Sequence, residues 1–360
     1  MTKRWRVAGI SFEHFHMGDN LRFAFEHPRA DIVGVCDDNP IRMATAIDQF
    51  GIPDSAVFQD AHECIKAVEP DLIMLCPSTA GHRHWVEQLA EYRIPLLLEK
   101  PFAASLADAD AMAAAVKKHG QSLAINWPLA WVPCHRAAHR LIAEGAIGEP
   151  LEIHFYDGNR GPLWHTADKA ERTAASVAKE KPQSWFYSRE AGGGSLLDYL
   201  GYGTTLGTWF LQGKKPITVT AVVDEPQGLE VDEHAIVVAQ YEFGLSKFET
   251  RWGTYTDPWT HQPQPKCGFV IVGRDGTLSS YDYESHVVLQ DSGHPEGRKL
   301  SADPLPLEFQ NPVAHLIHIS ESGEPMDGPM DLPICRIGQQ IVDSAWLSAR
   351  EKKTVELLGN

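Results

Sequence analysis

The sequence lacks the features of three large classes of protein. Its six cysteines, at positions 36, 64, 76, 134, 267 and 335, show no paired spacing, so neither a disulfide framework nor a zinc knuckle is expected. No apolar stretch approaches the roughly 20 residues of a membrane helix. Basic residues are also scarce, since 32 lysines and arginines face 48 aspartates and glutamates, for a formal charge of −16. A chain this acidic is a poor partner for nucleic acid or an anionic membrane.

The beginning of the sequence leaves no space for a secretory leader. Its first five residues, Met-Thr-Lys-Arg-Trp, pass directly into a strand pattern, whereas a signal peptide needs a longer apolar stretch. Because the cysteines are scattered as well, a reducing compartment is indicated. We expect a cytoplasmic protein.

The glycine-rich loop of a dinucleotide-binding domain is also missing. That loop places glycines directly after the first strand, so that the backbone can approach a pyrophosphate at a helix N-terminus. Here the first predicted strand, residues 6–10, is followed by a loop without such a motif, and Gly9 and Gly18 are nine residues apart. Either His14 and His16 face a cofactor in a remodelled loop, or they only pack and cap. A His-x-His metal site is disfavoured because no third ligand is close in sequence.

Residues 1–124 nevertheless alternate short apolar strand patterns with helical patterns of about 10 to 15 residues. Capping boxes beginning at Asp60 and Ser105 mark two helix starts. This alternation predicts βαβ units and therefore an α/β, doubly wound parallel sheet, a Rossmann domain.

Residues 125–360 follow a different pattern. Longer strand patterns are joined by turns rich in glycine, proline and aspartate. They predict an α+β domain with a large, open-faced, mostly antiparallel sheet. We expect loops at 256–268 and 291–306.

The most informative stretch runs from Pro95 to Phe102. Three leucines predict a short buried strand, which stops at Glu99, Lys100 and Pro101. Because proline cannot continue a central strand, the lysine is presented at the carboxyl edge of a parallel sheet, where ligands bind in such folds. A buried lysine is costly as a structural residue and useful for proton transfer.

An acidic pair follows the second predicted strand, residues 31–36. Asp37 is placed where a carboxylate binds the hydroxyls of an adenosine ribose. Asp38 beside it would repel a 2′-phosphate, which favours NAD over NADP. The alternative is that both carboxylates form an N-cap cluster with Asn39.

In the second half, three glycines at 192–194 precede a predicted helix that carries Asp198 and Tyr202. Positions i and i+4 share one helix face, so a carboxylate and a phenol behind a flexible glycine run could transfer protons. A phenol ionises near pH ~10, and a neighbouring lysine would lower its pKa toward neutrality. The alternative is that the pair is structural.

Together these features resemble the Gfo/Idh/MocA family, that is, glucose–fructose oxidoreductase, inositol dehydrogenase and rhizopine dehydrogenases. The resemblance covers essentially the whole chain. It depends on Glu99-Lys100-Pro101, the segment 77–82, the Gly-Ala-Ile-Gly-Glu-Pro turn at 145–150 and the Asp198…Tyr202 helix. It implies a Rossmann domain, an open-faced sheet domain, and oxidation of a secondary hydroxyl of a sugar or cyclitol by hydride transfer to nicotinamide.

The resemblance also implies roles for single residues. Lys100, Asp198 and Tyr202 would be catalytic, with Lys100 between nicotinamide and substrate, Asp198 on the substrate, and Tyr202, coupled to Lys100, as the proton acceptor. Tyrosine at position 202 is typical of the glucose–fructose oxidoreductase branch, whereas most members have histidine there. No metal is expected, and the segment 77–82 is one residue longer than is usual. The residues predicted to bind the cofactor are Gly9, Ser11, His14, His16, Asp37, Cys76, Pro77, His82, Glu99, Lys100 and Asn126.

Four further residues are predicted to bind the substrate together with Lys100, Asp198 and Tyr202. The loop predicted at 158–165 carries Asn159, Arg160, Trp164 and His165, a set suited to the hydroxyls and the apolar face of a sugar. The same composition also describes an ordinary sheet surface.

Two other functions remain open at this point. One is a lyase or glycosidase that oxidises a sugar hydroxyl transiently with tightly held NAD. The other is a non-catalytic sugar or nucleotide sensor, which the missing glycine loop favours. An open sheet face predicts a homodimer or homotetramer in either case.

Overall fold

The computed structural model describes residues 3–360, and the chain divides into two compact units. The first, here called the parallel-sheet unit, consists of the chain up to Asn126 with the segments His165–Ala174 and Pro306–Leu332. Its strands are β1 (Trp5–Ile10), β2 (Ala30–Cys36), β3 (Val57–Phe58), β4 (Leu72–Leu75), β5 (Leu96–Glu99) and β6 (Leu123–Asn126). Its helices are α1 (His16–Glu26), α2 (Pro40–Phe50), α3 (Ala61–Val68), α4 (His82–Leu89) and α5 (Leu106–His119), followed late in the chain by α9 (Pro312–Ser322).

All six strands of this sheet are parallel, in the order β3-β2-β1-β4-β5-β6. The order reverses between β1 and β4, which is the point where open α/β sheets bind their ligands. The predicted doubly wound sheet is therefore confirmed. The two-residue strand β3 was not predicted, because it is too short to show a period.

Local capping explains why three helices begin where the sequence predicts. Asn39, Asp60 and Ser105 each accept a hydrogen bond from a backbone N–H in the first turn of α2, α3 and α5. Gly51 and Gly120 end α2 and α5 in the left-handed conformation, which glycine adopts without strain. Caps of this kind contribute about 1 kcal/mol each.

The segment His165–Ala174 is bound to α1 by side chains distant in sequence. Arg22 donates to both carboxylate oxygens of Asp168, at 2.6 Å each, and Gln49 donates to the same group at 2.9 Å. Gly18 leaves room for the segment, since a Cβ there would lie 2.6 Å from the Cβ of Ala167. The predicted boundary at residue 124 lies two residues before Asn126 and does not include the two later segments of this unit.

The second unit, here called the antiparallel-sheet unit, contains a nine-stranded sheet. The order is β14-β13-β12-β11-β7-β10-β9-β8-β15, and every neighbouring pair is antiparallel except β7 and β10. A mostly antiparallel sheet was predicted and is confirmed. Its strands are β7 (Pro150–Asn159), β8 (Thr218–Asp224), β9 (His234–Gln240), β10 (Leu245–Trp252), β11 (Gly268–Gly273), β12 (Gly276–Tyr281), β13 (His286–Asp291), β14 (His294–Ser301) and β15 (Val355–Glu356). Its helices are α6 (Pro133–Ala143), α7 (Ala174–Glu180), α8 (Ser195–Phe210) and α10 (Leu332–Glu351).

Two predictions about this unit were wrong. The stretch 291–306 is not all loop, because β14 pairs with β13 along it. Asn159 is not a loop residue, because it ends β7 and pairs with Trp252 of β10. Strand β12 and helices α7 and α9 were absent from the prediction.

Helix α8 is almost wholly buried against the sheet. A Cβ at Gly201 would lie 2.4 Å from the ring of Trp127, and one at Gly203 would lie 2.3 Å from the ring of Phe155. Glycine at positions 201 and 203 therefore lets the backbone of α8 pack closely against these two rings. Among residues 3–360, no helix combines the length and hydropathy that crossing a membrane requires.

Candidate active site

The loop after β1 begins at Ser11, where a glycine fingerprint would also begin, and Gly9 lies within the strand. Ser11 has a φ of 64°, in the left-handed region that glycine usually occupies. A Cβ at Gly9 would lie 3.0 Å from the sulfur of Met17, so this glycine lets α1 pack closely on β1. The left-handed turn at Ser11 was not predicted, because the sequence has no glycine there to mark it.

His14 and His16 lie side by side at the start of α1. The His14 ring is buried, its Nδ1 accepts a hydrogen bond of 3.1 Å from the backbone N–H of His16, and the two ring centroids are 4.3 Å apart. Burial, together with the charges of His16 and Lys100, holds the pKa of His14 well below its usual value. His14 is therefore neutral near pH 7, and its contact with the cofactor stays a prediction.

Glu99 connects this loop to the ends of two strands. Its Oε1 lies 2.7 Å from Nδ1 of His16, and its Oε2 accepts hydrogen bonds from the amides of Asn20 at 3.3 Å and Asn126 at 3.1 Å. Burial alone would raise the pKa of Glu99, but His16, Lys100 and Asn126 lower it below its usual value. The predicted cofactor residues His16, Glu99 and Asn126 thus form one network, to which Asn20 is an unpredicted addition.

The same network bears on metal binding. His14, His16 and Glu99 each place one ligand atom within 4.8 Å of the others, so a possible third ligand comes from a residue distant in sequence. Nδ1 of His14 accepts a backbone N–H, and Nδ1 of His16 faces the Glu99 carboxylate. That no metal binds here stays a prediction.

Lys100 follows directly after β5, and its side chain is buried in this environment. The residue is 2% exposed, and its charge contributes to the lowered pKa values of His14 and His82. Burial brings the pKa of His82 to about 4, and Nδ1 of His82 lies 3.2 Å from the carbonyl of Phe102. The charge of Lys100 thus acts on the neutral imidazoles of His14 and His82 and on the carboxylate of Glu99.

Two more predicted residues lie at the edge formed by β1 and β4. Cys76 is buried, and burial raises its thiol pKa well above the usual value. Pro77 follows it, and the backbone and hydroxyl of Ser78 then donate to the carboxylate of Glu13, at 2.8 and 3.0 Å. Because Glu13 belongs to the loop after β1, these bonds tie the lengthened segment 77–82 to that loop. Neither Glu13 nor Ser78 was predicted, since the two are 65 residues apart in sequence.

Asp37 joins the loops that follow β1 and β2. Its carboxylate accepts hydrogen bonds from the backbone of Phe12 at 2.6 Å and of Asn39 at 2.8 Å, and Arg42 lies 3.2 Å away. Burial raises the pKa of Asp37. The side chain of Asn39 itself caps α2, so Asp37 is not the N-cap residue. Its position at the end of β2 agrees with the predicted ribose contact.

In the antiparallel-sheet unit, Asp198 and Tyr202 lie one helical turn apart on α8. They are 1% and 6% exposed. The Tyr202 ring meets Trp127 edge-on at 5.5 Å and Tyr199 at 5.6 Å. These contacts hold the phenol in one orientation next to the carboxylate-bearing turn of the helix.

The glycine run before α8 is packed, not flexible as predicted. A Cβ at Gly193 would lie 2.3 Å from the carbonyl oxygen of Phe186, and one at Gly194, whose φ is 106°, would lie 2.8 Å from the Asp232 carboxylate. Asp232 accepts a hydrogen bond of 2.8 Å from the N–H of Leu196 and thereby caps α8. Burial raises the pKa of Asp232 to about 7.

The four residues predicted to bind substrate are divided between the two units, with Asn159, Arg160 and Trp164 in the antiparallel-sheet unit. Asn159 donates from its amide to the Tyr199 hydroxyl. Arg160 binds the buried carboxylate of Asp257 at 2.5 and 2.6 Å and lies over the ring of Trp164 at 5.1 Å. A guanidinium paired in this way shapes the loop. His165 belongs to the parallel-sheet unit, where its ring meets Phe15 edge-on at 5.0 Å.

Comparison with known proteins places the chain in a family. Residues 7–127 match the family model described as an oxidoreductase family with an NAD-binding Rossmann fold, and residues 135–279 match the C-terminal domain model of the same family. Together the two models match well over half of the chain.

Two curated relatives show the range of similarity. A D-apiose dehydrogenase of Paraburkholderia graminis is 26% identical over 345 residues, which are 91% of this chain and 83% of the relative. An inositol 2-dehydrogenase of Burkholderia cenocepacia is 26% identical over 132 residues, covering 36% of this chain and 39% of the relative.

Solved structures match the fold over the full length. An aldose–aldose oxidoreductase from Caulobacter crescentus has 21% identity and a TM-score of 0.77, covering 99% of this chain and 100% of that one. A levoglucosan dehydrogenase in complex with NADH and levoglucosan has 18% identity and a TM-score of 0.77, with the same coverage. With both halves matched by models of one family, the chain belongs to the Gfo/Idh/MocA oxidoreductases, whose N-terminal domain has the NAD-binding Rossmann fold.

Proposed function

We propose that this protein is an NAD-dependent dehydrogenase that acts on a secondary hydroxyl of a sugar or cyclitol. The observation that carries this proposal is Lys100, a lysine that is 2% exposed at the carboxyl edge of a parallel strand, next to a carboxylate held ionised. Relatives named D-apiose dehydrogenase and inositol 2-dehydrogenase support the substrate class. In a buried, ordered environment such a lysine can hold or pass a proton with little reorganisation.

The residues of the parallel-sheet unit fit the coenzyme. The left-handed turn at Ser11, directly after β1, and the close packing of α1 on Gly9 support a pyrophosphate site at this place. Asp37 is placed for the adenosine ribose, and His82 and Cys76 with Pro77 border the same edge of the sheet. When bound, NAD accepts a hydride from the carbinol carbon of the substrate.

The residues on α8 supply the substrate side of the proposal. Tyr202, as the phenolate, would accept the hydroxyl proton and become a neutral phenol, with its ring held by Trp127 and Tyr199. Asp198 would orient the substrate through hydrogen bonds to its hydroxyls. Lys100 would stabilise the negative charge that develops on the substrate oxygen. Positioning of the reacting groups contributes much of the rate in such reactions.

A panel of aldoses, aldonic lactones and cyclitols tests the function directly. We expect absorbance from NADH to appear when NAD⁺ and one member of the panel are mixed with the purified protein. Consumption of a sugar without net NADH, with coenzyme co-purifying, would instead support a lyase or glycosidase that works by transient oxidation. Binding of NAD⁺ and sugar without turnover would support a sensor.

Coenzyme choice gives a first prediction. Arg42 could bind a 2′-phosphate, but it already lies 3.2 Å from Asp37, 3.3 Å from Asp38 and 3.7 Å from Glu13. We therefore expect calorimetry to show NAD⁺ binding at least about tenfold tighter than NADP⁺, which corresponds to about 1.4 kcal/mol.

The exposed carboxylate of Asp38 offers a variant that leaves the buried Asp37 in place. Asp38→Ser should reduce the preference for NAD⁺ over NADP⁺ a few-fold, because the repulsion of a 2′-phosphate becomes weaker. Asp54, an exposed acidic residue before β3, provides the control, and Asp54→Ser should leave this preference unchanged. Equal affinity of the wild type for the two coenzymes would contradict the assignment.

A second prediction concerns oligomeric state. Outward-facing Val222, Ile236 and Val238 are 70%, 40% and 36% exposed on neighbouring strands β8 and β9. An apolar patch on an open sheet face is typical of a subunit interface, so we expect a homodimer or homotetramer. Light scattering after size exclusion should show a smaller species for Ile236→Glu. The control is Ile41→Glu on α2, which is 82% exposed and should not change the mass.

A further inference from the structure

His16 occupies the position where the coenzyme's pyrophosphate is bound in a Rossmann domain. It is the first residue of α1, the helix that follows β1. In the glycine fingerprint this position presents backbone N–H groups at a helix N-terminus. Here an imidazole side chain stands at the same place, one that could reach a bound anion.

Glu99 fixes how that imidazole can act. Because a carboxylate only accepts hydrogen bonds, Nδ1 of His16 at 2.7 Å must carry the proton that joins them. Glu99 cannot rotate away, since Asn20 and Asn126 donate to its second oxygen at 3.3 and 3.1 Å. The arrangement holds the ring in one orientation and leaves Nε2 as the nitrogen that can contact a ligand. A carboxylate that accepts a hydrogen bond from a metal-binding histidine orients that ring in the same way.

The outward nitrogen is available to a ligand. The His16 side chain is 14% exposed, and within residues 3–360 no protein group hydrogen-bonds to its Nε2. Groups that interact with the charge of the ring include the carboxylates of Glu99 and Asp19 and the imidazole of His14, which is neutral, and Lys100 acts on Glu99 and His14 as well. An imidazole that carries both protons can donate one N–H to Glu99 and the other to a phosphate oxygen.

We propose that His16, oriented by Glu99, binds the pyrophosphate of the coenzyme and compensates for the glycines missing from the loop. This inference rests on the proposed NAD-dependent function. Residues 11–16 contain no glycine, although Ser11 keeps a left-handed conformation, so a side chain would replace the lost backbone approach. It also gives Glu99 a positioning role separate from that of Lys100 beside it.

Calorimetric titration with NAD⁺, ADP-ribose and adenosine tests this without relying on activity. NAD⁺ and ADP-ribose contain the pyrophosphate, and adenosine does not. We expect His16→Ala to lower the affinity for NAD⁺ and for ADP-ribose by about 10- to 100-fold, as for the loss of one charge-assisted hydrogen bond. The affinity for adenosine should not change. His84→Ala, an exposed histidine on α4, should bind all three as the wild type does.

Further variants separate positioning from general loss of structure. Glu99→Gln should lower the affinity for NAD⁺ and ADP-ribose. The double variant His16→Ala/Glu99→Gln should bind both ligands as well as His16→Ala alone does, because Glu99 acts through His16. His16→Gln, which keeps a donor, should recover part of the affinity. Thermal unfolding of each variant reports whether the loop still folds.

The outcomes are distinct. Wild-type affinity for NAD⁺ in His16→Ala, with reduced turnover, would assign His16 to the reaction and overturn its role with the pyrophosphate. An equal loss for adenosine would show a collapsed loop and would overturn it too. If the wild type binds NAD⁺ and the His16 pattern holds, yet no sugar yields NADH, the proposed dehydrogenase function fails while the pyrophosphate contact stands.

Discussion

Lys100→Met should lower sugar-dependent NADH formation by about 10²- to 10⁴-fold, the usual contribution of a group that handles a proton in the transition state. Methionine keeps an unbranched, flexible side chain of similar length, so the buried volume at the end of β5 stays filled. The charge is lost, and with it the proposed stabilisation of negative charge on the substrate oxygen. Steady-state kinetics on the best member of the sugar panel provide the measurement.

The comparison needs a lysine of the same unit that is outside the site. Lys117 is exposed near the end of α5, and Lys117→Met should retain wild-type turnover. NAD⁺ affinity of Lys100→Met should remain within a few-fold of the wild type, which would place the loss in kcat. Equal turnover of Lys100→Met and wild type would rule out a catalytic role for this residue.

The largest expected loss of stability comes from a buried pair outside the site. His135 is fully buried in the antiparallel-sheet unit, with Nε2 at 2.8 Å from Asp282 and Nδ1 at 2.7 Å from the Ser280 hydroxyl. Burial alone would lower the pKa of His135, but Cys134 and Asp282 raise it to about 10. Asp282→Asn should leave a buried imidazolium without its counter-charge, at a cost of about 3–5 kcal/mol. Urea unfolding gives the measurement.

The same pair predicts a pH dependence. Because the folded pKa of His135 is raised, its contribution to stability is fully present below the unfolded pKa of about 6.5 and is lost as pH rises toward about 10. Wild-type stability should therefore fall across this interval, and that of Asp282→Asn should fall much less. Asp224→Asn, an exposed residue at the end of β8, should follow the wild-type curve. A parallel decline in wild type and Asp282→Asn would show that His135 is neutral in the folded protein.

Much of the fold could be predicted because its signals are local. Helix α5, for example, begins at a capping serine and ends at Gly120, and both are visible within a few residues of sequence. Strand β14 could not be predicted, because it is an exposed edge strand rich in charge and interrupted by Gly297. Edge strands of this kind carry charge to discourage further pairing, and only its hydrogen bonds to β13 make it a strand.

The candidate site also has some features that local sequence predicts and others that it does not. Lys100 at a strand edge, and Asp198 with Tyr202 on one helix face, follow from local periodicity, and their catalytic roles remain predictions. The network around Glu99 could not be foreseen, since His16, Asn20 and Asn126 come from different elements and meet only in the folded chain. Within it, Asn20 has no feature in the sequence that distinguishes it from any polar helix residue.

The way the chain passes between its two units has a consequence for its synthesis. It leaves the parallel-sheet unit after Asn126, returns for His165–Ala174 and returns again for Pro306–Leu332. The late segment carries Glu321, which binds Arg29 at 2.7 Å. On a ribosome, the first unit to begin folding would thus be the last to receive all of its parts. The parallel-sheet unit therefore cannot complete its fold until residue 332 has been translated.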